Sequence, residues 1–431
     1  MKRKKMMKDK LKFISKKVGI ILVLYVVLMA VFTGAMTRSY SLNNKRIVNH
    51  VYESAQTIEK EGVYPRVILN AEKAQLDNFT DSWMLTIAMG IDGKTPIDSA
   101  MSCYYKFNED SEDKAENLLS VVRGEKTEEY EYTRYWHGYQ VFLRPLLQVF
   151  NYEEIRYINM FGIMGLFMIA TYLLKEKIGA GSAIAFVVSM LMSMIIIVPM
   201  SMQFSSLYYV TMISIVLLAM FSKKIMKKDL MYVFFFLVGA FTSFFDLLTA
   251  PIMTLGFSLI VYSYLELKEN SIGKNTVEII SKSFSWSMGY IMTWSGKWII
   301  AELITKKNVI TNALDQVLSR TSSQVNEVSI SKIDVIIKNV SKYIEGLNIK
   351  LILVIIVIAL IFFIIMKKKN SINMLPTLLV AFYPIVYYVV MTNHAFIHFW
   401  FTYRNLTVSC FAILSFILYT IDFDRYKKRT T

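Results

Sequence analysis

A series of apolar runs, each long enough to cross a bilayer and most of them stopped by a knot of lysines, constrains this chain more than anything else in it. The first, Val18 to Met36, carries no charge at all and follows the basic segment MKRKKMMKDKLKFISKK. About 18 such residues suffice to span the hydrocarbon core. It has no small-x-small cleavage site and so reads as an uncleaved anchor. Further spans are expected at Tyr157–Leu174, Gly179–Val198, Ser205–Phe221, Met231–Leu248, Pro251–Leu265, Ser283–Ile304, Ile349–Met366, Ile372–Met391 and Phe401–Ile421. With the N-terminus inside, Lys175-Glu176-Lys177, Lys223-Lys224 with Lys227-Lys228, Lys268 to Lys274, Lys367 to Lys369 and the tail Arg425 to Arg429 all fall on the cytoplasmic side. That is the arrangement the positive-inside rule requires. Counting Gln140–Phe150 as a span, or dropping Ser283–Ile304, would reverse every later loop.

The chain is therefore expected to be an all-α polytopic membrane protein of about ten transmembrane helices, with a small extracytoplasmic first-loop domain. Residues 1–36 form a cytoplasmic basic tail and the first span. Residues 37–154 form an extracytoplasmic loop domain that ends in an interfacial helix. Residues 155–304 hold spans two to seven, 305–348 an extracytoplasmic amphipathic region, and 349–431 spans eight to ten with a second basic tail. Mean hydropathy of +0.41 supports this class. The net charge of +15 is spent on anchoring blocks between apolar runs, so nucleic acid is not an expected partner. Cys103 and Cys410 form no spaced motif. No P-loop, Rossmann glycine pattern or nucleophile elbow is present, and the inner loops are too short for a soluble catalytic domain.

The first polar region carries helical periodicity at Ile47, Val51, Ala55 and Ile58 before Gly62, and at Leu118, Leu119 and Val122 before Gly124. In the second, Ile310, Leu314, Val317 and Leu318 share one helical face. Ile336, Val340, Tyr343 and Ile344 share another, as expected of amphipathic helices on the outer leaflet or capping the bundle.

The polar clusters that carry chemistry all map to one membrane face. His394 and His398 stand four apart in Thr392 to Asn405; with a third ligand they would hold a metal, and otherwise they are hydrogen-bonding histidines. Asp77 and Asp81 lie one turn apart beside the apolar run from Trp83. Such a pair supplies a general base when burial and mutual repulsion raise one pKa, and Asp77 equally suits a helix N-cap. Asp246 lies at the tip of a tight hairpin between two spans, as a substrate contact or an interfacial cap. Arg404, Arg144 and Lys297 are cations suited to an anionic headgroup, with snorkelling as the alternative for Lys297. Arg134, Trp136, His137 and Tyr403 complete the candidate substrate contacts, their aromatic members fitting either sugar stacking or the interfacial aromatic belt.

A single N-terminal anchor, a large acidic first outer loop and many further spans with short inner loops resemble the GT-C class of integral-membrane glycosyltransferases. The strings LDNFTDSW, RYWHGYQVFLRPLLQVFNYEEIRYIN and NHAFIHFWFTYRNL are similar to those of a family of low-GC Gram-positive membrane proteins of GT-C type. The resemblance implies a polyprenyl-phosphate-linked sugar as donor and a cell-envelope glycan as acceptor. It also implies a role in envelope polysaccharide biosynthesis, with the active face extracytoplasmic and both termini cytoplasmic. It places the general base on Asp77 or Asp81 and leaves a divalent metal open. The stretch from Thr37 must then fold back to bring Asp77 to the membrane. The alternative expectation is a non-enzymatic lipid-glycan transporter or a scaffold in surface-polysaccharide assembly.

Overall fold

The computed structural model describes residues 2–69, 71–325, 328–347 and 371–421, with side chains from Ser15 onward. It is 76% helical. The expected span Ile349–Met366, the block Lys367 to Lys369 and the tail Arg425 to Arg429 lie outside the described residues. Five described helices are long and apolar enough to cross a membrane. They are Ser15–Tyr40 within α1 (Lys2–Tyr40), α7 (Tyr152–Lys177), α9 (Met202–Lys227), and the segments Ser371–Val390 and Phe399–Thr420.

Three expected spans are shorter: α8 (Ala180–Met192), α10 (Met231–Phe245) and α11 (Ile252–Glu266). In α11 every residue from Met253 to Tyr264 is buried, so this apolar run fills the centre of the bundle. A helix that is hydrophobic all round is surrounded by other apolar groups, here its neighbours in the bundle. The expected Ser283–Ile304 lies inside α12 (Ile272–Thr305), which has 34 residues but is too polar to count among the five. α10 and α12 cross at reciprocal glycines. A Cβ on Gly239 would overlap the Trp286 carbonyl oxygen, and one on Gly289 the Phe236 carbonyl oxygen. Small residues at such a crossing let two backbones touch.

The first polar region folds as α2 (Asn44–Glu61), α3 (Asn78–Met89), α4 (Pro96–Ser102) and α5 (Lys114–Val122). The antiparallel pair β1 (Tyr105–Phe107) and β2 (Glu128–Tyr130) joins them. Asn43 caps α2 by accepting from the Lys45 amide, and Gly62, at φ 82°, ends it. Ile47, Val51, Ala55 and Ile58 are buried as their spacing requires. They do not form a separate core. They pack with Leu85 of α3, Leu143 of α6 (Gln140–Leu146), Tyr152 and Ile155 of α7, and Met202 of α9. The first polar region is thus fastened onto the ends of long helices.

The second polar region forms α13 (Val309–Thr321) and α14 (Lys332–Ile344). The expected face of α13 is corrected. Of the four residues, Ile310 and Val317 are partly buried against the bundle and Leu314 and Leu318 are exposed, while Val309 and Ala313 supply the buried contact. On α14, Val335, Asn339 and Tyr343 are buried against the stretch around Tyr388, Ala395 and Tyr403, with Ile336, Val340 and Ile344 partly buried beside them. The two polar regions meet: Lys307 pairs with Glu131 at 2.6 Å, and Lys73 donates to the Tyr343 carbonyl at 3.0 Å.

Candidate functional site

The site begins where α3 lands on the starts of α7 and α9. Asp77, 1% exposed, is the N-cap of α3 and accepts from the Thr80 amide at 3.0 Å and the Thr80 hydroxyl at 3.1 Å. One turn on, Asp81 is fully buried and fully used. It accepts from the Tyr152 phenol, from the Ser201 hydroxyl at 3.2 Å, and from the amides of Met202 at 2.9 Å and Gln203 at 3.0 Å. A carboxylate on the first amides of α9 meets both unpaired donors and the positive end of the helix. Four donors leave its two oxygens no free position. Behind it, Arg156 grips Glu61 at 2.6 and 2.9 Å and donates to Asn78 and Tyr152. The two carboxylates, alike in sequence, are thus unlike in structure. Asp81 fastens α3 to α7 and α9, whereas each oxygen of Asp77 keeps a lone pair. Burial raises the Asp77 pKa to about 6, the Asp81 charge adding to the effect and the hydrogen bonds from Thr80 opposing it.

Beside Asp77, Thr80 and Trp400 line a cavity of about 180 Å³. Tyr64, Phe79, Trp83, Tyr132, Tyr135 and Phe401 supply aromatic walls, and His137, Gln203, Arg320, His394 and His398 supply polar ones. Five buried polar atoms of this lining have no partner among the described residues: Trp83 Nε1, Gln203 Oε1, His394 Nδ1, His398 Nδ1 and Trp400 Nε1. A buried polar atom without a partner costs about 1–3 kcal/mol, so several around one cavity mark a place for a hydrogen-bonding ligand. Met84 and Tyr139 also line an apolar groove of about 820 Å³ between α6, α7, α9 and α10, with Phe142, Pro145, Ile158, Val210, Leu237 and Phe241 along it.

Arg404 stands one turn beyond Trp400 and donates to its carbonyl at 3.4 Å. It is 1% exposed, its guanidinium lies 3.9 Å from the Phe204 ring centroid, and Nε and Nη2 have no partner among the described residues. The adjacent Tyr403 is buried with its hydroxyl likewise unpartnered.

The other expected phosphate-binding cations are occupied. Arg144 donates to the carbonyls of Ser39 at 3.0 Å and Ala88, at the ends of α1 and α3, and to Asn44. Lys297 donates to the carbonyls of Ala100 at 3.2 Å and Met101 at 2.8 Å, at the end of α4. Each cation neutralises the negative end of a helix and has its donors committed there. Trp136 is core: its indole donates to the Thr293 carbonyl at 2.7 Å, and the ring packs on Phe32 and Phe244. His137 reaches the cavity, but the Tyr132 carbonyl and the Tyr139 hydroxyl take both its nitrogens. Burial, with Lys297 adding to it, lowers its pKa to about 3. Arg134 stacks 4.3 Å from the Tyr132 ring centroid at the cavity edge. Asp246 accepts from the Thr249 amide at 2.8 Å behind the lining residue Leu247, and its Oδ2 is buried and unpartnered among the described residues.

Among the described residues no group of three or more His, Cys, Asp and Glu gathers as metal ligands. The third neighbour of the histidine pair is Arg320, a cation. Sequence spacing gave no sign of Arg320, Gln203 or Trp83, which reach the cavity from three separate helices. The lone arginine in the last turn of α13 was the one available signal. No protein-family model matches this chain, and neither a curated protein nor a solved structure matches it.

Proposed function

We propose that the chain is an outward-facing membrane glycosyltransferase that moves a sugar from a polyprenyl-phosphate carrier to a cell-envelope glycan. In this reading it has about ten spans, both termini are cytoplasmic, and the cavity opens at the extracytoplasmic face. The observation that carries the proposal is the pairing of two neighbouring cavities: an aromatic one whose polar atoms lack partners among the described residues, and an apolar one that shares Met84 and Tyr139 with it as lining. A sugar on a long isoprenoid is a ligand with those two halves, the ring stacking on aromatics and the chain lying among apolar helices.

In the reaction the acceptor hydroxyl attacks the anomeric carbon, and its proton passes to Asp77. The bond from that carbon to the phosphate oxygen breaks, and the polyprenyl phosphate leaves with the electron pair. Arg404, buried with two unpartnered donors, meets the charge that develops on the phosphate. Asp81, Arg144 and Lys297 hold the helices that carry these groups. With a pKa of about 6, Asp77 is ionised as a base above that pH, so turnover rises through pH 6 and then levels.

The test is release of polyprenyl phosphate from polyprenyl-phosphate hexose by the purified protein in nanodiscs with an envelope glycan acceptor. Loss of at least about 100-fold in Asp77→Asn, with the protein still folded, is expected. Unchanged release in that variant ends the assignment of the base. The second reading, a lipid-glycan transporter or scaffold, draws on Asp246, whose free carboxylate oxygen is buried between two short apolar helices. Cysteine labelling of position 246 from both sides of the membrane would favour it.

A further inference from the structure

The two histidines of the cavity are chemically complementary. Their ring centroids lie 4.8 Å apart. His394 Nε2 is 2.9 Å from the Leu248 carbonyl oxygen. A carbonyl only accepts, so this nitrogen carries the proton and Nδ1 is left as an acceptor. His398 Nε2 is 3.1 Å from Arg320 Nη1. A guanidinium only donates, so this nitrogen is bare and Nδ1 carries the proton. Both Nδ1 atoms are buried and unpartnered among the described residues. The pair therefore holds one acceptor nitrogen and one donor N–H on neighbouring rings. Burial and Arg320 hold the His398 pKa down to about 3, and burial, His398 and Arg320 depress that of His394, so both rings stay neutral at ordinary pH.

We infer that this pair reads one hydroxyl of the bound glycosyl unit: the hydroxyl donates to His394 Nδ1 and accepts from His398 Nδ1–H. The inference rests on the glycosyl reading of the cavity and narrows it to a pyranose that carries a free hydroxyl, rather than a charged or deoxy carbon, at the position the pair reads. A carboxylate has no proton for His394. An ammonium has no lone pair for His398. A deoxy sugar leaves both nitrogens buried without a partner. A site built to hydrogen-bond a hydroxyl discriminates strongly against the analogue that lacks it. Trp83 Nε1 as a donor and Gln203 Oε1 as an acceptor offer the same ligand a second set of contacts across an aromatic wall. Arg320 acts through His398: it fixes which nitrogen is bare and is a positioning residue.

Two measurements on the full chain in nanodiscs test this. Solid-state nitrogen NMR of histidine-labelled protein, assigned with His394→Gln, reads the tautomers directly. Protonation at Nε2 of His394 and Nδ1 of His398 is expected, and the reverse pattern at either ring overturns the inference. Binding of methyl glucoside, galactoside and mannoside is then compared with that of their monodeoxy derivatives. One parent glycoside is expected to bind, with loss of one hydroxyl weakening it at least about tenfold. His398→Asn, which keeps an N–H near the δ position, should retain that preference, and His398→Gln should lose it. Equal binding of parent and deoxy sugars overturns the inference, and so does no binding of any glycoside. Hydroxyl-selective binding without sugar transfer would sink the transferase reading and leave this one standing. Transfer without hydroxyl selectivity would do the opposite.

Discussion

Two buried basic regions of this molecule look alike in sequence and differ in where their donors end. Around Arg144 and Lys297, the hydrogen bonds run to carbonyls at the ends of α1, α3 and α4. Around Arg404 and His398, they run out before the donors do: Nε and Nη2 of Arg404 and Nδ1 of His398 meet no partner among the described residues. Burial and charge alone do not distinguish the two regions. The difference is whether the described residues complete the hydrogen bonding. A cation on helix carbonyls holds the fold together, whereas one with spare buried donors has capacity left for a further partner.

The strongest way to break this contrast is to cut a completed network. Asp81→Ala leaves two α9 amides, Ser201 and Tyr152 without their acceptor, and Arg144→Leu strands two helix-end carbonyls. Each is expected to destabilise by about 3–5 kcal/mol, read as unfolding in detergent or as loss of folded yield. A change within about 1 kcal/mol would mean these residues are not the bolts described. Asp77 offers a sharper test one turn away. Its pKa is raised from 3.8 to about 6 on folding, so ionising it opposes the fold. That cost is absent below pH 4, grows as pH rises through the interval, and is complete above 6, where it reaches about 3 kcal/mol. Asn keeps the N-cap but cannot ionise. Asp77→Asn should therefore gain stability over wild type as pH rises from 4 to 6, and a pH-independent difference would contradict the burial argument.

At the crossing of α10 and α12, Gly289→Ala should cost about 1–3 kcal/mol through forced separation of the helices. Thermal unfolding of the variant measures it. The smallest effect on stability is expected at the least complete cation. Arg404→Met should change stability by less than about 1 kcal/mol or raise it, because an apolar side chain replaces a buried charge that lacks an ion-pair partner among the described residues. It should nonetheless weaken binding of dodecyl phosphate, a lipid-phosphate probe, at least about tenfold, as titration calorimetry would show.

Much of the fold could be read from hydropathy because the bilayer imposes a length on any helix that crosses it. The five long helices stand where their apolar runs begin and end. The central place of α11 was not legible, because a helix at the middle of a bundle and one at its rim have the same composition and only their neighbours distinguish them. The face of α13 was misjudged because Leu314 and Leu318 are more apolar than Ala313, yet Ala313 fits the close contact. At the site, the aspartate pair, His394, His398 and Arg404 were visible as polar residues set in apolar sequence. Their roles were not visible. Nothing in the spacing of Asp77 and Asp81 says that the amides of Met202 and Gln203 will fill one of them. Arg144 read as a phosphate ligand because helix-end carbonyls, its true partners, leave no mark on composition. Arg320 and Gln203 join the cavity only through the packing of α13 and α9, far from each other along the chain.

Sugar transfer to the cell envelope at the Asp77–Arg404 end of the molecule remains the proposal to be tested. Glycan composition of the envelope in a deletion strain, complemented with wild type, Asp77→Asn or Arg404→Ala, tests it most directly. One sugar decoration is expected to be lost on deletion and restored by wild type but by neither variant, with all three proteins accumulating equally. An envelope unchanged by deletion, or restored equally by both variants, would contradict the proposal.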